Sequence, residues 1–533
     1  MSGIRYFDSF AFAGKRMGEL QNYIHSVDDI ASEMRRCGIH GALLTHTLSR
    51  EYDPVVGNEL LLKEIGGRKN FAPCFVVRPD DLGEFPPVEK YLDGHDIRAV
   101  RLYPKTQMYG FDDFTCGKIF DNLEHREIPL FIEGGRRFVP SFNQASIEEL
   151  DRVCSAHPKL RIVLQGSRWD GMREVFFLMK KHANIMLEFS SQQVNRGFEF
   201  FVRHFGAKRL IFGTQFPVMS IGAARTFLDY ADIKDDERRL IASVNLAELL
   251  KVPIPDGEVD NDKGDRILVA VKSGKPLSEF NVIDAHAHIV PEGEHVAYSP
   301  ILFSGADDMV KGDGRLGIRK TCVSEWLGLW LDHDRGNEAT FDAMTRYPDH
   351  FVGYGAFDPT IVKDWDRLLN HWYLKRRFVG IKPYYPRTEI PYNSQKWHPL
   401  FSFGDRHKLF VLLHPSDHFV SEVEEIAVRY PNLRMLLAHS GMSFKHASEV
   451  SELAKAHENV YLELTFTDVA DGVIEFMAEK VGGEKILFGT DQPMRDASPQ
   501  LGWVAYSRIS ESDKVKILGK NMEGILGSTR LPL

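Results

Sequence analysis

A short frame occurs twice in this chain and is chemically complete only once. One copy reads Ile283-Asp284-Ala285-His286-Ala287-His288, the other Phe7-Asp8-Ser9-Phe10-Ala11-Phe12. The frame is shared, but both histidines have become phenylalanines. Other landmarks recur in the same order. Cys37-Gly38-Ile39 pairs with Leu316-Gly317-Ile318, Arg101 and its neighbours loosely with Lys382, and Leu160–Leu164 with Leu433–Leu437. Leu210-Ile211-Phe212-Gly213-Thr214-Gln215-Phe216-Pro217 pairs with Ile486-Leu487-Phe488-Gly489-Thr490-Asp491-Gln492-Pro493, and Asn245 with Asn521. The separations all fall between 273 and 281 residues. An ordered series at near-constant separation marks a tandem repeat of one plan.

A length of 533 residues suits two such domains. The sequence divides into residues 1–255, a Pro/Gly/Asp-rich linker at 256–280, and residues 281–533. Within the linker, 266–280 reads as an edge hairpin or an extended lead into the second half. In the second half, apolar strands fall near 281–288, 320–324, 351–357, 378–383, 409–414, 434–439, 459–465 and 485–490. Helical stretches such as Asp364–Tyr373 and Ser421–Tyr430 lie between many of them. Eight strands rich in Val, Ile and Leu, alternating with helices, predict a parallel (β/α)8 barrel. Two halves on one plan predict two tandem (β/α)8 TIM barrels. A doubly wound open sheet is the alternative.

Catalytic groups of a parallel barrel sit at the carboxyl ends of its strands. Residues two apart on a strand point the same way, so His286 and His288 offer two imidazoles to one point. Strand four ends at Lys382, strand five at His414, strand six at His439 and strand eight at Asp491. Four histidines and an aspartate suit a divalent metal with an open position.

The Asp-x-His-x-His of 284–288, the strand-end His414, His439-Ser440-Gly441 and Gly489-Thr490-Asp491-x-Pro493 resemble the amidohydrolase superfamily. The nearest branch includes aminocarboxymuconate-semialdehyde decarboxylase and several lactonases. Asp358-Pro359 after strand three also fits. The resemblance covers about 280–533 with all motifs and 1–250 with the frame only. It implies that His286, His288, His414 and Asp491 hold one metal, with Zn2+ the expected ion. It implies that His439 serves as general acid or base and that Asp491 can accept a proton. Such a metal polarises a carbonyl and acidifies a water. Lys382 is read as an ammonium facing a substrate carboxylate; carboxylated, it would bridge a second metal. Arg387 and Arg495, in loops at the same rim, are carboxylate-binding candidates beside ordinary surface arginines. Trp326 and Trp330 would wall the pocket or pack a helix. The stretch from Pro291 to Gly314 reads as a lid or an insertion.

The first half departs from this pattern at every ligand. Phe10 and Phe12 replace the histidines, while Glu133 aligns with His414, Gly166 with His439 within one residue, and Gln215 with Asp491. The expectation is a pseudoenzyme domain without metal, its pocket filled by phenylalanines. The competing reading is a different site lined by Glu133, Glu188, Arg101 and Gln215. The retained half is expected to sit against the second as an intramolecular pseudo-dimer, with further homo-oligomers open.

The leading functional expectation is a metal-dependent hydrolase acting on a C–O or C–N bond of a small, carboxylated molecule. A metal-dependent nonoxidative decarboxylase is the alternative, and a non-catalytic metal sensor is a third reading. The net charge of −9 and the lack of a basic, aromatic-laced stripe argue against nucleic acid as partner. No membrane span or signal peptide is expected, and five scattered cysteines read as reduced thiols of a cytoplasmic protein.

Overall fold

In a computed structural model, residues 3–16, 24–79, 83, 85–297 and 299–531 are described. The chain divides into two compact units, residues 1–264 with 272–274, and residues 265–271 with 275–533. Residues 266–272 form a helix, not the hairpin or extended lead expected there. A hairpin needs alternating polarity and a turn signal. Arg266-Ile267-Leu268-Val269-Ala270-Val271-Lys272 instead has a continuous apolar centre, and Asp265 accepts from the Leu268 N–H at its start.

The second unit is a TIM barrel. Its eight parallel strands, Val282–Ile289, Ile318–Glu325, Phe351–Gly355, Gly380–Ile381, Phe410–Leu413, Arg434–Leu437, Val460–Leu464 and Ile486–Phe488, pair in sequence order. Strand eight runs on beside strand one, where the N–H groups of Asp491 and His288 donate to His286 and Gln492 at 2.6 and 2.7 Å. Asp284 pins this seam. Its carboxylate accepts from the Thr490 N–H at 3.0 Å, the Thr490 hydroxyl at 2.5 Å and the His286 N–H at 3.0 Å. An acid with those partners is satisfied although fully buried.

Strand one is buried along its whole length because helices cover its outer face and the barrel interior covers the other. Helices are set by their caps: Asp332 accepts from the Arg335 N–H and Ser443 from the His446 N–H. Ala306–Leu316 is helical, so only the part before residue 306 of the expected loop from Pro291 to Gly314 is irregular. Residue 298 of that stretch lies outside the described residues.

The first unit contains a three-stranded parallel sheet (Phe7–Ala13, Gly41–His46, Phe71–Pro73) and a six-stranded one (Phe75–Val76, Val100–Arg101, Leu130–Glu133, Ile162–Gln165, Ile185–Glu188, Leu210–Ile211). One apolar layer joins Phe7, Leu43, Phe131, Val163 and Ile211 of the strands with Cys74 and Ala99, which immediately precede two others. All five cysteines are buried and outside any disulfide. Among the described residues no helix is long and apolar enough to cross a membrane.

Candidate metal centre

The carboxyl ends of strands one, four, five, six and eight bring their predicted residues to one end of the barrel. His286 and His288 alternate on strand one, and their Nε2 atoms lie 3.7 and 3.2 Å from Asp491 Oδ1. These three residues offer ligand atoms within one ion's reach of one another. Each imidazole turns its other nitrogen outward, His286 Nδ1 to Glu463 Oε2 at 3.0 Å and His288 Nδ1 to Ser324 Oγ at 3.0 Å. Metal-binding histidines use such outer partners to fix ring and tautomer, so the donor set fits a divalent ion.

His414 stands apart from this triad. Its Nε2 is 3.0 Å from His439 Nε2, and its Nδ1 is buried without a hydrogen bond. Two imidazole nitrogens at that distance share a proton or a cation. His439 Nδ1 meets the Thr465 carbonyl at 2.7 Å, so that nitrogen carries the hydrogen and Nε2 faces the site. The N-terminal neighbour of Ser440 holds φ +63°, and Asp491 holds φ +55°. Both are left-handed conformations that side chains with a Cβ adopt at a cost, as at functional sites elsewhere.

Lys382 is buried, with Nζ 3.1 Å from His286 Nε2. Arg495 is also buried and pairs with Asp491 Oδ2 at 3.0 Å. Arg387 is placed differently. It is exposed at the rim, its guanidinium 4.8 Å from the Trp330 ring and its Nε donating to the Trp330 carbonyl at 3.3 Å. Trp326 packs edge-on to His288 at 5.4 Å and stacks with Trp330 at 5.8 Å. Tyr384 packs edge-on to His414 at 5.4 Å. A cavity of ≈ 190 Å³ opens beside the cluster, lined by Lys382, Trp330, Tyr384, Arg387, His333 and Phe357.

Burial dominates the electrostatics. It holds His286, His288 and His414 below the usual imidazole value, and His439 at about 4. It lowers Lys382 to about 8 and raises Glu463 to about 8. Burial alone would raise Asp491, but Arg495 and the two imidazoles outweigh it and hold that acid well below the carboxylate range. Neutral imidazoles and an ionised carboxylate are the forms a metal requires.

Sequence reasoning missed Glu463. It is the penultimate residue of strand seven, is fully buried, and meets both His286 and the His439 N–H. A comparable buried acid, Glu188, ends the strand Ile185–Glu188 of the first unit and is among the residues singled out there from the sequence. Glu463 also joins His286 and His439 in a second group of close ligand atoms. That group is the weaker site, because Thr465 and the His439 N–H already engage the Glu463 oxygens.

In the first unit, Phe10 and Phe12 are buried with ring centroids 5.4 Å apart. The fully buried Arg101 guanidinium lies 5.0 and 5.5 Å from those rings. It donates to the Thr45 hydroxyl, the Ser9 carbonyl and Gln165. Gly166 has φ +64° and a Glu188 carboxylate on its N–H at 3.1 Å. A Cβ there would lie 3.0 Å from Arg136 Nη2, which fills the space above it. Gln215 holds φ +58° and donates to Ser190 and Ser191.

Residues 283–527 match the amidohydrolase family model. They form an amidohydrolase domain. No curated protein matches the chain. Among solved structures, 2,6-dihydroxybenzoate decarboxylase from Rhizobium is 16% identical, over 46% of this chain and 99% of its own, with a TM-score of 0.39. The 5-carboxyvanillate decarboxylase of Novosphingobium aromaticivorans, complexed with manganese and 4-hydroxy-3-methoxy-5-nitrobenzoic acid, is 14% identical over 48% of this chain and 98% of its own, at a TM-score of 0.39.

Proposed function

We propose that the amidohydrolase domain is a metal-dependent enzyme that removes CO2 from a small carboxylic acid. The observation that carries this reading is the Arg495–Asp491 ion pair at 3.0 Å. Hydrolysis needs a base to take a proton from water, and the superfamily's expected base is Asp491. With one oxygen on Arg495 and the other facing two imidazoles, this carboxylate is a poor proton acceptor. Decarboxylation needs no such base. It needs cations for the carboxylate and one proton for the carbon.

His286, His288 and Asp491 would hold the ion, and His414, its Nε2 3.0 Å from His439 Nε2, is the further ligand that the family resemblance implies. When bound, a divalent ion supplies charge that polarises the substrate oxygen beside the reacting carbon. Lys382 and Arg495 place two buried cations at the same end of the barrel, suited to holding a carboxylate. Trp330 and Tyr384 wall the adjoining cavity, which favours a planar acid. As the C–C bond breaks, its electron pair passes to the ring or chain carbon, and a proton that His439 Nε2 takes up from water is delivered there in place of the lost CO2. An anionic substrate beside His439 favours the protonated ring, and the Thr465 carbonyl holds the Nδ1 hydrogen throughout.

The test is a panel of planar carboxylic acids and their esters, with CO2 and hydrolysis products measured on metal-loaded protein. CO2 release that disappears in His439→Ala supports the reading. Metal-dependent hydrolysis without CO2 would establish the hydrolase expected from the sequence. Zinc suits the imidazole-rich donor set. Metal analysis decides between it and manganese, and two ions per chain would point to a carboxylated Lys382.

The first unit is, in this proposal, a degenerate copy of the same barrel. Three correspondences support it: Asp8 accepts from Thr214 as Asp284 does from Thr490, Glu188 meets Gly166 as Glu463 meets His439, and Gln215 keeps the backbone of Asp491. Cys74 links Phe71–Pro73 to Phe75–Val76, and the Ser9 N–H donates to Phe212 at 3.1 Å, consistent with eight strand positions around a ring.

A further inference from the structure

We infer that Glu463 is a positioning residue that fixes the metal ligand His286 and the proton-transfer residue His439 with a single carboxylate oxygen. The inference rests on the metal-site reading above. Glu463 Oε2 lies 3.0 Å from His286 Nδ1 and 3.3 Å from the His439 N–H. Its other oxygen is held by the Thr465 hydroxyl. The carboxyl lies tight against strand eight, where a Cβ on Gly489 would come within 2.0 Å of Oε1. Glycine at 489 is therefore required for the carboxyl to occupy this place. A fully buried acid held on both oxygens cannot shift without moving its partners. One partner is the imidazole whose Nε2 faces the ligand cluster. The other is the left-handed residue whose ring faces His414.

The first unit supplies the internal control. Glu188 accepts from the Gly166 N–H at 3.1 Å and the Ser190 N–H at 2.6 Å, and a Cβ on Gly213 would come within 2.6 Å of it. Its surroundings match those of Glu463, but Phe10 stands where the ligand imidazole would be. A purely structural carboxyl would serve alike in both units. A positioning residue for the metal would matter only at 463.

The experiment uses the full chain, stripped with chelator and titrated back with Zn2+ against a fluorescent indicator, and separately loaded with Co2+. Glu463→Gln is expected to weaken Zn2+ affinity about 10–100-fold, the usual effect of losing an outer partner of a metal-binding histidine. It is also expected to shift the visible absorption of bound Co2+, because His286 loses its fixed orientation. Glu188→Gln is expected to change neither. Wild-type Zn2+ affinity or an unchanged Co2+ spectrum in Glu463→Gln would overturn the inference, as would equal weakening in Glu188→Gln. If Glu463→Gln does not fold, Thr465→Val, which frees the other carboxylate oxygen, is read by the same criteria. Failure of the wild type itself to bind Zn2+ or Co2+ would instead remove the metal-site reading.

Discussion

Gln215 and Asp491 hold the same left-handed backbone, φ +58° and +55°, just beyond the last strand of their units. That conformation costs roughly 1–3 kcal/mol for a residue with a Cβ and persists where the surroundings impose it. At Asp491 it aims a carboxylate at two imidazoles. At Gln215 the same turn aims an amide at Ser190 and Ser191.

A carboxylate alone should therefore not restore a site in the first unit. Gln215→Asp is expected to leave metal content at the wild-type value, because Phe10 and Phe12 offer no ligand. Asp491→Asn is expected to lower metal affinity about 100-fold or more, beyond the 10–100-fold of an outer-partner change. Metal analysis after dialysis against graded chelator measures both. Extra metal in Gln215→Asp would contradict the filled-pocket account.

Phe10 is 1% exposed and packs against Phe12 and the Arg101 guanidinium. Phe10→Ala should destabilise the chain by about 3–5 kcal/mol, through lost burial and the cavity left behind. It should also loosen a buried cation from its ring. Urea unfolding measures the loss, with metal content unchanged.

Arg495 and Asp491 form a buried pair. Arg495→Met leaves the carboxylate without its cation and should cost about 3–5 kcal/mol in chelator-stripped protein. A divalent ion can supply the missing charge, so added metal should raise the melting temperature more in Arg495→Met than in wild type. Equal rises in the two proteins would mean that Asp491 does not face the ion.

His40 accepts the Tyr6 N–H on Nδ1 at 3.1 Å, and burial, with Arg225 and Arg5 nearby, lowers it to about 4. Its folded value lies below the unfolded one of about 6.5. Its stabilising contribution is thus complete above about pH 6.5 and is lost as pH falls toward 4. Stability measured across that window should fall less in His40→Asn than in wild type. Identical slopes would show that His40 is not a source of acid sensitivity.

Strand positions and the ligand-bearing strand ends were legible in the sequence because both follow from periodicity. A buried parallel strand is a continuous apolar run, and the polar residue that ends it faces the barrel mouth. His286, His288, Lys382 and Asp491 come together as that rule predicts, whereas Arg495, expected only in a rim loop, is buried against Asp491. Arg387 lies at the rim on Trp330 because a loop side chain follows no strand period. The helix at 266–272 escaped for want of length, since seven residues give too few turns for a helical pattern to show. Glu463 escaped because a buried acid on a strand looks unfavourable until its partners are known, and those lie 24 and 177 residues away.

In the proposed site, the second unit holds a divalent ion through His286, His288 and Asp491. Metal analysis of the purified full-length chain tests it most directly, alongside His288→Ala. About one equivalent per chain is expected in the wild type, and its loss in the variant. A wild type without metal, whose melting temperature is indifferent to chelator and to added Zn2+ or Mn2+, would contradict it.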